Sequence, residues 1–360
     1  MSEYKMSVRQ ICFTIIAFFT STKMIFLAAV TSEYAGKSLW ISALINFFAD
    51  GIIIYIILLI GERFPNKTFF EIIRDSFGNF VAKTVYFILA VVLLFKSYVP
   101  IMEQRNFIEI SLYETLPTIL TFLPFFLFSA YFSYKGLKAV ARCSDIMIWF
   151  IIIAVFGLIA LTIPNTDFSE LLPIFKGTPI KDILGGSIKS SLWYFDSIYF
   201  LFFIGNYKRE RLYKTKIMSA FFTSAAIIIL YLVAIYAEFG VLTERQYFVP
   251  AKMGLFSVAL LNIGRIDYIA SIFLSIVNVF AIALPLLFST YCLEQVFNFK
   301  NKAVPTIITN SIMFTGVFLS RDYFFDIFGI FQNLSVFLLG FTSFIIPFAA
   351  FVFCRKRRTQ

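Results

Sequence analysis

The sequence predicts an all-α integral membrane protein, and three observations carry that prediction. Of its 360 residues, 60% are hydrophobic and only 14% are charged, with a mean hydropathy of +0.85. A soluble chain carries roughly a quarter of its residues charged. The apolar residues fall in long runs, not in the short alternating segments of a barrel. Lysine and arginine collect in every second connection between those runs, as expected of a multi-pass protein.

A helix needs about 20 residues to cross a bilayer, and about ten segments approach or exceed that length. The first, 8–34, follows Lys5 and Arg9. It reads as a retained helix and not a signal peptide, because no cleavage site follows and another apolar run begins at once. The second, 38–60, stops at Glu62-Arg63-Phe64-Pro65-Asn66, where charge and proline end it. The third and fourth, 82–112 and 117–135, are followed by Lys135-Gly136, and the fifth, 144–163, by Pro164-Asn165. The sixth, 186–205, ends before Lys208-Arg209-Glu210-Arg211, and the seventh is 215–240. The eighth, 266–296, precedes Lys300-Asn301-Lys302; the ninth and tenth are 303–320 and 331–354, with a basic tail at 355–360. Arg265 and Asp267 open the eighth segment and are expected to latch it to the loop at 241–262. Trp40 and Tyr113 sit at segment ends, the usual place of interfacial anchors. The 49 phenylalanines read as apolar filler, facing lipid or packed between helices.

Orientation follows from the basic residues. With the N-terminus inside, 20 of the 31 lysines and arginines fall in inside segments and nine in outside ones, leaving Lys23 and Lys96 within spans. Both termini are therefore expected to be cytoplasmic. The net charge of +10 is a topology signal in contact with the lipid bilayer, and no nucleic-acid partner is expected. Cys12, Cys143, Cys292 and Cys354 then lie near cytoplasmic span ends and are expected to be reduced.

Several function classes drop out. Histidine is absent, which removes Ser-His-Asp hydrolysis, His metal ligation and a His pH switch. The cysteines are too far apart for a CxxC motif. No GxGxxG, Walker A, HExxH or GxSxG pattern occurs, so neither an enzyme nor a cofactor is expected. Two intramembrane acids invite comparison with an aspartyl protease, but the sequence around Asp50 and Asp196 lacks the surroundings such enzymes need.

What remains is polar residues at membrane depth, which are costly there and are candidates for function. The first segment carries Thr20-Ser21-Thr22-Lys23, with apolar sequence on both sides. Lys23 lies about 20 Å along a helix from Arg9, too deep to reach water easily. An interrupted helix beside a ligand cavity would accommodate it. An unbroken helix whose lysine pairs with a neighbour is the alternative. Asn46 and Asp50 lie one turn apart in the second segment. The third holds Lys96, Ser97 and Tyr98, then Pro100, Glu103 and Gln104. The sixth reads Lys189-Ser190-Ser191-Leu192-Trp193-Tyr194-Phe195-Asp196-Ser197, and the eighth has Ser275, Asn278 and Pro285. Asp50 and Asp196 are each expected to pair with Lys23 or Lys96 unless a ligand takes their place.

At this level the chain resembles a known family. The run Glu62 to Glu71 followed by Phe77-Gly78, the junction Ala130-Tyr131 to Arg142, Leu171-Leu172-Pro173 with Gly177 and Pro179, and Gly264-Arg265-Ile266-Asp267 occur in the family's order. These segments resemble the B subunit of spore-germination nutrient receptors, the GerAB type, within the amino acid–polyamine–organocation transporter superfamily. The resemblance covers residues 7–354. It implies a single transmembrane domain with an inverted 5+5 repeat of the LeuT-like kind, here about 1–163 and 180–354. It also implies germinant receptor A and C subunits as partners, a small-molecule nutrient as ligand, and the inner membrane of the spore as location. The chain departs from the family's run before the second helix, which reads Gly36-Lys37-Ser38-Leu39-Trp40 without its acid, and in having a lysine after Ser21-Thr22.

The resemblance implies interrupted helices at Ser21-Thr22-Lys23 and near Phe195-Asp196-Ser197. The positive ends of both half-helices would meet at the midplane and favour an anionic group. The expected ligand-binding residues are Ser21, Thr22, Lys23, Tyr98, Glu103, Tyr194, Asp196, Ser197 and Asn278. An α-amino acid would place its carboxylate at Lys23 and its ammonium near Asp196 or Glu103. Two functions use such a site: a sensor that signals through partner subunits, which the resemblance favours, and a proton-coupled amino acid permease.

Overall fold

The computed structural model describes residues 5–111, 117–163, 166–172, 178–250, 252–253 and 267–354. Arg265 and part of the 241–262 loop, and with them the proposed latch to Asp267, lie outside the described residues, as do Tyr113 and the basic tail. Among the described residues the regular structure is helical, with one isolated bridge, Met6 to Tyr207, and no strand.

Fourteen α-helices follow in order among the described residues. They are α1 Val8–Ser21, α2 Leu27–Ala35, α3 Leu39–Arg63, α4 Phe69–Phe77 and α5 Asn79–Ser111. Then come α6 Thr118–Lys135, α7 Leu137–Thr162, α8 Ile180–Lys189, α9 Phe200–Phe203 and α10 Tyr213–Phe239. The last four are α11 Asp267–Phe297, α12 Ala303–Ser320, α13 Phe324–Gly340 and α14 Ile346–Phe353.

Local signals explain many of the boundaries. Ser7 and Gln10 form a reciprocal capping box that starts α1, and Thr68 with Glu71 does the same for α4. Gly136, at φ +72, turns the chain between α6 and α7. Gly205, at φ +78, lies against the backbone of Lys67, where any Cβ would collide. Phenylalanines divide as a membrane protein requires: Phe80 and Phe337 face outward, while Phe26, Phe107 and Phe200 are buried between helices.

Among the described residues, six helical segments are long and apolar enough to cross a bilayer: Leu27–Arg63, Asn79–Ile110, Leu137–Ala160, Tyr213–Arg245, Ser271–Phe297 and Ala303–Phe353. Val8–Ser21 and Ile119–Lys135 are shorter apolar helices. These do not map one to one onto the ten expected runs. The expected first run, 8–34, leaves α-helical geometry between Ser21 and Leu27. The ninth and tenth are joined through a 3-10 turn, Arg321–Tyr323, within the helical stretch Ala303–Phe353. The sixth differs most: residues 190–199 contain two 3-10 turns separated by an extended Tyr194 and a left-handed Phe195, and only 200–203 return to α-helix. The cause is local. Ser190 bonds the backbone of the preceding turn, and Lys96, Asp50 and Ser343 of neighbouring elements satisfy the backbone groups that unwinding frees.

Candidate functional site

The two interruptions meet, and charge gathers where they do. Lys23 lies in the first, between α1 and α2, with its side chain fully buried. Its Nζ donates to Oδ2 of Asp196, which opens the 3-10 turn after the second interruption. Lys96, in the middle of α5, reaches the other oxygen of the same carboxylate at 2.7 Å and also donates to the carbonyl of Tyr194. Asp196 thus holds two ammonium groups. The rings of Phe19, Phe47 and Tyr194 lie 5.2, 5.9 and 5.6 Å from the Lys23 nitrogen, close enough to favour a cation.

Asp50 does something different from the expected pairing with a lysine. Its carboxylate accepts the backbone N–H groups of Asp196 at 3.1 Å and Ser197 at 3.4 Å. It therefore covers the positive end of the turn that follows the second interruption. This corrects the sequence expectation, which left that end free for a nutrient carboxylate. One turn back on the same helix, Asn46 donates to the Ser187 carbonyl at 3.0 Å and accepts from the Ser187 hydroxyl at 2.7 Å. Ser42, a further turn back, donates to the Ile183 carbonyl. The four-residue spacing puts all three on one face. Asn46 and Ser42 hold the outgoing end of α8 while Asp50 holds the incoming end of the next turn.

Other elements complete the support. Trp193 donates through Nε1 to Glu103 of α5 at 2.7 Å. Phe195, a non-glycine residue at φ +58, gives its carbonyl to the hydroxyl of Ser343 at 2.8 Å. Ser343 lies in a π-helical turn, Phe341–Ile345, between α13 and α14. Such turns are rare and frequently mark functional sites. At the first interruption, the Tyr231 hydroxyl from α10 donates to the Met24 carbonyl at 2.7 Å.

The remaining expected residues separate into two groups. Ser21 and Thr22 return their hydroxyls to the Phe18 carbonyl, and both line a small cavity of ≈ 10 Å³ with Glu103 and Asn278. A second cavity of ≈ 20 Å³ is lined by Thr22, Lys96, Trp193, Asp196 and Tyr199 among others. Each has room for about one water. Asn278 also belongs to a chain in which it donates to Gln104 at 2.5 Å and Gln104 donates to Ser275 at 2.9 Å. The Tyr194 hydroxyl is buried with no hydrogen-bond partner among the described residues. Tyr98 is not gathered with the charged cluster: its hydroxyl meets Ser320 at 2.7 Å and its ring stacks on Phe331. On α5 it is Lys96, Ser97, Val99, Pro100 and Glu103 that line the cavities, and Tyr98 does not.

The expected set omitted Lys96 and Asp50, which stand at the centre. Their burial signal was plain in the sequence, but spacing did not tell which acid each lysine would meet. Trp193, Tyr231 and Ser343 were missed as supports because an aromatic or a serine in an apolar run carries no distinctive pattern. Among the described residues, no group of three cysteines, aspartates or glutamates is placed to hold a metal ion.

The cluster combines cations, carboxylates and unwound backbone in a buried setting, which suits recognition of a small polar or zwitterionic molecule and offers no nucleophile–base pair. A family model described as spore germination protein matches residues 5–323. No curated protein matches the chain. The match leaves out α13 from Phe324 onward, including the π-helical turn. With several long apolar helices and a match across most of its length, this multi-pass membrane chain belongs to the spore germination protein family.

Proposed function

We propose that the chain is the B subunit of a spore germinant receptor, binds a small nutrient, most simply an α-amino acid, between its two interrupted helices, and triggers germination through A and C subunits in the spore inner membrane. The observation that carries this reading is the buried cluster of Lys23, Lys96, Asp196 and Asp50 on unwound backbone. In this proposal the polypeptide crosses the membrane about ten times, as an inverted repeat with both termini cytoplasmic, and catalyses no reaction.

The geometry refines how a zwitterion would be read. Asp196 is already shared by two lysines, so Lys23 can leave it without stranding its charge. A nutrient carboxylate would take Lys23, while Lys96 stays on Asp196. The nutrient ammonium would then go to Glu103, which accepts a hydrogen bond from the neutral indole of Trp193. Thr22 and Pro100 line both small cavities, so joining them would place both recognition points around one ligand. Binding moves the helices only if it favours one arrangement over another. Two charge-assisted contacts at about 1.5–3 kcal/mol each are enough to shift a two-state balance substantially.

A second reading, a proton-coupled amino acid permease, draws support from Glu103 and Asp50, buried carboxylates with no lysine within ion-pair distance among the described residues. Uptake of labelled amino acids by proteoliposomes containing the purified chain separates the two. Concentrative uptake driven by a pH gradient would overturn the sensor. Nutrient binding without uptake, together with loss of germination in spores lacking the chain, is the expected result. Neighbouring genes for an A subunit and a lipoprotein C subunit would agree with it.

A further inference from the structure

Between α1 and α10, near the N-terminal end of each, lies an open groove of ≈ 600 Å³. Arg9, Cys12 and Ile16 form its wall on α1, and Thr215, Ser219 and Thr223 form the facing stripe on α10 at four-residue steps. The short side chains on α10 leave the space between the two helices unfilled. Polarity changes along the groove. At its mouth are Arg9, with 68% of its side chain exposed, and Lys216, with 53%. Each touches one acid, Asp145 at 3.2 Å and Glu210 at 3.1 Å, but a guanidinium has five N–H donors and an ammonium three. Deeper in, Ile16 and Ala220 are apolar. From Arg9 to Ile16 is about 10 Å of helix, the distance from a headgroup into the acyl region. At the rim Leu212 is held at φ +62, a conformation that non-glycine residues seldom adopt, and its side chain is 65% exposed.

We propose that this groove holds one anionic phospholipid, with its phosphodiester on Arg9 and Lys216 and an acyl chain against Ile16 and Ala220. Glu210 also lines the mouth, but the spare N–H donors of Arg9 and Lys216 above an apolar floor complement an amphiphile with an anionic head. A free anion would leave the floor without a partner, and a zwitterionic lipid would bring its own cation to the mouth. Basic pockets between transmembrane helices select anionic headgroups by this arrangement.

Cys12 lines the groove and reports its occupancy, while Cys143, half-buried on α7 outside it, serves as an internal reference. The purified full chain is placed in nanodiscs of phosphatidylcholine with or without phosphatidylglycerol. Alkylation of both cysteines by N-ethylmaleimide is then followed by peptide mass spectrometry. Phosphatidylglycerol should slow alkylation of Cys12 relative to Cys143 by up to roughly thirtyfold, the scale expected of two basic residues at a membrane surface. Arg9→Gln with Lys216→Gln should abolish that protection, and Ser219→Phe, which fills the groove without changing charge, should make Cys12 slow in both lipids. Equal rates for Cys12 in the two lipids would overturn the proposal. So would protection that survives the double substitution, or protection by glycerol phosphate in phosphatidylcholine discs, which would assign the mouth to a free anion. Circular dichroism of each variant establishes that it is folded before its rates are compared.

Discussion

Lys23→Met and Asp196→Asn both remove half of the same buried ion pair, yet the structure predicts unequal consequences. In Lys23→Met, Asp196 keeps Lys96 at 2.7 Å. The loss of one charge-assisted hydrogen bond, about 1.5–3 kcal/mol, is partly offset by no longer desolvating an ammonium, so the net loss should be about 2 kcal/mol or less. Asp196→Asn instead leaves two buried ammonium groups around a neutral amide, and stranding buried charge costs about 3–5 kcal/mol. Combining the two removes one of the stranded cations, so the double variant should be more stable than Asp196→Asn alone. The expected order is wild type, Lys23→Met, the double variant, then Asp196→Asn. Thermal stability of the purified chain in detergent, read by fluorescence-detected size exclusion, measures it. Germination of spores carrying each variant, normalised to protein level by blot, gives the second readout, and Lys23→Met should lose the amino-acid response while retaining assembled protein. An Asp196→Asn variant as stable as Lys23→Met would refute the shared-carboxylate argument. A normal nutrient response in Lys23→Met would refute the carboxylate-binding role while leaving the stability order intact.

Other substitutions probe the supports. Ser343→Ala takes the donor from the Phe195 carbonyl and should cost about 1–3 kcal/mol, seen as a lower melting temperature. Gly205→Ala forces a Cβ to 2.6 Å from the Lys67 carbonyl oxygen at φ +78, and should reduce stability by about 1 kcal/mol or more. Ser7→Ala removes the α1 cap and should cost about 1 kcal/mol without altering the nutrient response, measured by the same melting and germination assays. Cys354 is buried, so its labelling cannot report topology. A cysteine at the exposed position of Lys208, in a Cys12→Ser background, should react with an impermeant maleimide in inverted vesicles and not in intact cells. Labelling in intact cells would reverse the proposed orientation.

The helical membrane class was legible in composition and run length, because bilayer thickness sets a length that composition alone can meet. Span boundaries were less so. The run at 186–205 looks like one apolar segment, yet its centre is unwound, because hydropathy does not register where serines, an aspartate and neighbouring helices take over the backbone's hydrogen bonds. Lys23 and Asp196 stood out as costly residues at membrane depth. Their arrangement did not: that Asp196 receives both lysines, and that Asp50 turns to backbone N–H groups, depends on how α3 and α5 pack against the interruption. Tyr98 illustrates the opposite error. It lies two residues from Lys96, but a helix turns about 100° per residue, and that rotation carries its hydroxyl to Ser320.

The hydrogen bonds from Asp196 and Ser197 to Asp50 have a bearing on sensitivity. A carboxylate tethered to α3 is an internal competitor for any external anion approaching that helix end, with an effective concentration that no dilution reduces. An outside anion binds there only during the fraction of time that Asp50 is displaced, and its apparent dissociation constant rises by the reciprocal of that fraction. Asp50 therefore closes that helix end to outside anions, and under the proposed function it is Lys23, not the backbone, that is left to receive a nutrient carboxylate.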